Sequence, residues 1–100
     1  MQTPISINNI PITISRDQWN LISEAHPEVT HYFSDVLETI ENPDILYAGM
    51  QSNSIAVKEI EKGTYLTVLY KEKLKKLTTV FLTREIRQFD ELEIIWKKDI

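Results

Sequence analysis

The chain has 100 residues, 42% of them hydrophobic and 26% charged, with a formal net charge of −4 and no cysteine. That length suits a single domain over residues 1–100 with one modest core. The composition is that of a folded chain rather than a disordered one, and disulfides and thiolate metal sites are excluded.

No apolar run approaches the roughly 18 residues that a membrane span needs. The opening MQTPISINN lacks the basic-then-apolar order of a secretory signal. A cytoplasmic protein with no membrane partner is expected.

Ile5 to Ile14 carries isoleucine at 5, 7, 10, 12 and 14. These make two short alternating runs around Asn8-Asn9, a pair that tolerates the positive φ of a tight turn. Pro11 restricts any strand here to an edge or a bulge. Ser15, with Gln18 three residues on, opens a helix as a capping box, and Ile14 and Trp19 stand where a hydrophobic staple would. Trp19, Ile22 and Ala25 then recur at helical spacing.

Pro27 ends this helix by driving His26 out of the α region. It also suits the first position of a second helix. There Val29, Phe33, Val36, Leu37 and Ile40 form an apolar stripe, with Thr30, His31, Ser34, Asp35, Glu38 and Glu41 opposite. Asn42, as a left-handed cap, and Pro43 stop it.

Beyond Asp44 the pattern changes to strands. Ile45–Met50, Ile55–Ile60, Tyr65–Tyr70 and Leu77–Leu82 are short apolar or β-branched runs, separated by turns of a few residues. Thr83 is expected to cap one or two helical turns before Phe89, and Leu92–Trp96 forms a last strand. The class predicted is α+β, with the N-terminal helices packed on one face of a twisted antiparallel sheet. Leu66, Val68, Val80 and Leu82 are expected in the core.

The residues narrow the chemistry. The two histidines are five apart with a proline between them, which is not a metal-ligand spacing on one helical face. Gly49 and Gly63 are the only glycines, so there is no phosphate loop, and no serine lies in a nucleophile elbow. Neither metal nor cofactor is expected. His31 points away from the apolar stripe and reads as solvated. His26, at a junction, either caps free backbone N–H groups or is held stiffly for display to a neighbouring groove.

Acid–base chemistry without a metal remains open. RNA cleavage of this kind needs a base for the 2′-hydroxyl proton, an acid for the leaving 5′-oxygen and a cation or donors for the phosphorane. His26, Lys71, Thr79 and Thr83 are residues of those types. Lys71, Lys73, Lys75 and Lys76 surround a single Glu72, either as a solvated turn or as contacts to phosphate.

The order of the fragments ITISRDQWNLI (Ile12 to Ile22), HPEV (His26 to Val29), LETIENPDIL (Leu37 to Leu46), YLTVLYKE (Tyr65 to Glu72) and TVFLTREI (Thr79 to Ile86) resembles the phage-associated barnase–EndoU–colicin–RelE-like nuclease families, the BECR fold. The resemblance runs from about Ile12 to Trp96. It implies N-terminal helices followed by an antiparallel sheet and a metal-independent endoribonuclease, often the toxin of a toxin–antitoxin or phage-related system.

Carried over, His26, Lys71 and Thr79 would be catalytic. Lys73, Lys75, Lys76, Thr83 and Arg84 would bind substrate, with RNA and an antitoxin protein as partners. Ala25 stands where the family often has a basic residue before HPE, and Val80 replaces its small alanine. The alternative is a catalytically silent interaction module, antitoxin-like or a phage accessory protein.

Overall fold

Alternation of apolar side chains between two faces builds one five-stranded sheet, and two short helices cover one of those faces. The computed structural model describes residues 3–99. Its helices are α1 (Arg16–Ala25) and α2 (Phe33–Glu41), and its strands are β1 (Ile45–Ala48), β2 (Ser54–Glu61), β3 (Thr64–Lys71), β4 (Lys76–Thr83) and β5 (Glu93–Lys97). The strands lie in the order β4-β3-β2-β1-β5, and all pairs are antiparallel. β1 to β4 form the expected meander, and β5 returns to the far side of β1. The α+β class read from the sequence is the class observed.

The register assigns the faces. Leu46, Ala56, Val68 and Val80 lie side by side across β1 to β4. They share a core with Ile12, Ile14, Ile22, Val29, Val36, Ile40 and Leu66, and Leu82 packs half-buried at its margin. The neighbouring rows, Tyr47–Ile55–Leu69–Thr79 and Ile45–Val57–Thr67–Phe81, look the other way.

That second face has its own apolar cluster, which the sequence reading did not anticipate. Tyr47, Ile55 and Val57 pack with Phe89, flanked by Leu69, Phe81, Ile86 and Leu92. The chain between β4 and β5 supplies this cover. It runs from the Thr83 end of one edge strand to the Glu93 end of the other, with a 3-10 turn at Ile86–Phe89 on the way. Glu85, not Thr83, caps that turn, accepting from the Arg87 N–H at 3.2 Å.

The helix starts follow local chemistry. Ser15 Oγ accepts from the Gln18 N–H at 3.0 Å. The reciprocal half of the box is not made, because the Gln18 side-chain amide donates instead to the Leu77 carbonyl and ties α1 to β4. Trp19 and Ile22 face the core, whereas Ala25 is exposed.

The second helix does not begin at Pro27. A separate 3-10 turn occupies Pro27–Val29, and α2 starts at Phe33. Thr30, His31 and Tyr32 are β-branched or aromatic residues of low helix propensity. The Thr30 hydroxyl donates back to the Pro27 carbonyl at 2.8 Å, and Tyr32 sits at φ −111, ψ 21. The apolar stripe still faces inward across this break.

At the far end Asn42 takes φ −135, ψ 66, so it is not the left-handed cap expected. Pro43, which has no N–H, stops the helix instead. β1 ends at Ala48, leaving Met50 exposed in a 3-10 turn.

The N-terminal segment folds back on itself. Ile5 bridges Pro11, and Asn9 takes φ 65 in the turn between them. The segment then meets β4, where the Thr13 N–H donates to the Lys75 carbonyl at 2.8 Å and Thr13 bridges Lys76 in parallel. Among the described residues no helix is long and apolar enough to cross a membrane.

Candidate functional site

His26 ends α1, its backbone N–H donating to the Ile22 carbonyl at 2.8 Å. The imidazole makes no capping hydrogen bond to the 3-10 turn that follows, so the backbone-cap role is not taken up. The ring centroid lies 6.0 Å from that of Phe81, tilted by 38°. Nδ1 is 3.5 Å from Glu28 Oε2, and the side chain is 36% exposed. Val29, three residues on, sinks into the helix-side core, whereas Phe81 belongs to the opposite face. The imidazole therefore meets the second face at the edge strand β4. His31 is exposed, as expected.

Thr79 shares that face with Phe81, two residues away along β4, a spacing of about 6–7 Å. Its cross-strand partner is Leu69. Lys71 lies two residues beyond Leu69, so it is a diagonal neighbour of Thr79, at about 7–8 Å between backbone positions of this kind. A bulge with Thr78 as the extra residue falls between them. The register thus sets out a strip in which Thr79 lies between the Phe81–His26 pair and Lys71. Among the described residues no hydrogen bond joins His26, Lys71 and Thr79 directly.

The expected substrate-binding residues separate into two groups. Lys73, Lys75 and Lys76 are exposed at the β3–β4 turn, where Lys75 takes φ 54. Thr83 and the exposed Arg84 lie at the other end of β4, roughly 23 Å along the strand from Lys76 at 3.3 Å per residue. The Thr83 hydroxyl accepts from the Glu85 N–H and from the Gln88 side-chain amide, both at 3.0 Å, so it serves the connection that leaves β4.

Two residues of this region, Phe81 and Glu28, are not among the candidates named from the sequence. Phe81 needs the sheet register to be seen beside His26. Glu28 could have been noticed, since it lies two residues from His26 within the same HPE motif.

Other titratable groups behave as packing. Burial pushes the phenols of Tyr47 and Tyr70 up, helped by Asp90 and Tyr65 beside the first and Glu72 beside the second. Both stay neutral at ordinary pH. Among the described residues no three His, Cys, Asp or Glu side chains converge as metal ligands. Comparison with family models, curated proteins and solved structures finds no match for the chain.

Proposed function

We propose that this chain is a metal-independent endoribonuclease domain of the barnase–EndoU–colicin–RelE-like kind, acting in the cytoplasm as the toxin of a toxin–antitoxin or phage-related system. The observation that carries the reading is the strip on the β4 edge: a solvent-reaching imidazole against Phe81, with Thr79 and then Lys71 following by register.

On this reading His26 takes the proton of a ribose 2′-hydroxyl. The freed oxygen attacks the adjacent phosphorus, and the P–O bond to the 5′-oxygen breaks as that oxygen takes a proton from water, with His26 returning the proton it removed to solvent. The products are a 2′,3′-cyclic phosphate and a 5′-hydroxyl end. Thr79 donates its hydroxyl to a phosphate oxygen, and the Lys71 ammonium offsets the phosphorane charge. Glu28 beside Nδ1 leaves Nε2 as the nitrogen free to exchange a proton with substrate.

The test is cleavage of a mixed-sequence RNA in the presence of a chelator. Wild type is expected to yield cyclic-phosphate ends. His26→Ala should lose about 10²–10⁴-fold in rate, the usual contribution of a general acid or base, with an unchanged melting temperature. Wild-type protein inert on RNA and harmless on expression would favour the silent interaction module, a reading to which the net charge of −4 lends support, since it opposes a polyanionic substrate.

A further inference from the structure

The β3–β4 turn breaks a rule of strand pairing. Lys71 and Lys76 are direct cross-strand partners, and like charges placed opposite each other destabilise a pair. Lys73 and Lys75 add two more cations within the same six residues. Among the described residues none of the four lies within 4.0 Å of a carboxylate.

The acid that could relieve this repulsion is at hand. Glu72 adjoins Lys71, yet its carboxylate is held elsewhere. The Ser6 hydroxyl donates to it at 2.7 Å, and the Asn8 amide donates at 3.1 and 3.2 Å to its two oxygens. Both donors are neutral and come from the folded-back N-terminal segment. The segment is itself anchored beside the turn through Thr13 and Lys75. Local rules broken in this way are expected at functional or strained sites.

We infer that the β3–β4 turn is a contact site for the phosphate backbone of a single nucleic-acid strand, and that Ser6 and Asn8 arm it by withdrawing Glu72 from the lysines. The RNA reading above supplies the identity of the strand, but the site needs no cleavage to operate. A flexible strand suits it because the four cations follow a turn rather than a groove. Each phosphate–lysine contact releases counterions. Ser6 and Asn8 are positioning residues: they touch Glu72 and not the strand.

The test uses a fluorescein-labelled oligodeoxythymidine, which lacks the 2′-hydroxyl and cannot be cleaved by the proposed route. Binding is followed by anisotropy across a potassium chloride series. Lys71→Gln with Lys76→Gln should flatten the slope of log affinity against log salt by about 1.4, at about 0.7 per single-strand contact. Ser6→Ala with Asn8→Ala should flatten it by about 0.7, because the released Glu72 then occupies one lysine. Adding Glu72→Gln to that pair should restore wild-type affinity and slope. A purely structural role for Ser6 and Asn8 would not produce this rescue.

No binding at low salt, an unchanged slope in the lysine variant, or a loss without rescue in a Ser6/Asn8 variant that melts like wild type would each overturn the inference. The lysine arm decides even if the Ser6/Asn8 variant loosens the N-terminal fold. Binding of the oligonucleotide by a protein inert on RNA would remove the nuclease reading alone and leave this site standing.

Discussion

At the scale of single residues, burial decides which substitutions matter. Val36 is fully buried on the inner face of α2, and Phe33 is only half-buried at the rim of the same stripe. Val36→Ala removes two methyl groups and leaves a cavity, which should cost about 2–3 kcal/mol. Phe33→Ala should cost less than a fully buried phenylalanine would, because part of its ring already meets solvent and Trp19, 5.1 Å away edge-on, can settle over the gap. Urea titration of both variants checks the order.

Tyr70 gives a prediction in pH. Its phenol is fully buried and its acidity is suppressed by burial and by Glu72. In the unfolded chain the phenol titrates near 10, while the folded protein keeps the proton at that pH. Stability is therefore complete below pH 10 and falls above it, by about 1.4 kcal/mol per pH unit, as the unfolded state alone loses the proton. Tyr70→Phe should flatten this alkaline decline, as measured by thermal melts between pH 9 and 11.

At the scale of elements, helix starts are separable into a cap and a tether. Ser15→Ala deletes the bond to the Gln18 N–H and should destabilise by about 1 kcal/mol. Gln18→Ala keeps that cap and removes the side-chain bond from α1 to the Leu77 carbonyl. It should expose that carbonyl at the sheet edge and raise amide exchange locally along β4.

The contrast also shows what the sequence could reveal. Ser15 as a cap was legible, since it depends on residues three apart. The destination of the Gln18 side chain, 59 residues away, was not. The strands were legible because alternation is local, and so was the class built from them. Runs such as IAV and YLTVLY are apolar on both faces, which is the signature of a sheet buried on two sides. Those runs carry that signal, but they do not show that the segment around Phe89 is what covers the second face. The extra residues Thr78 and Ile95, which bulge β4 and β5, leave no mark that composition or period can detect. The candidate site was legible in its residue types. The meeting of His26 with Phe81 was not, because it depends on which strand becomes the edge.

At the scale of the whole molecule, the folded-back N-terminal segment sets an order in time. Its partners at the β3–β4 turn are Glu72, Lys75 and Lys76, more than 60 residues further along the chain. Ribosomes add about 5–20 residues per second, so Ser6 waits roughly 3–13 s for Glu72 to be made. Contacts of such separation also form late, after loop closure has been met by nearer pairings. Pulse-labelled amide exchange during refolding should show β2 and β3 protected first and the Ile10 and Thr13 amides last, and early protection at Thr13 would contradict this order. A growing chain therefore has the residues of its helices and of β1 to β3 before the lysine turn and the β4 edge beside His26 are made. If the protein is a toxin, synthesis itself supplies an interval in which a partner can find the chain before it can act.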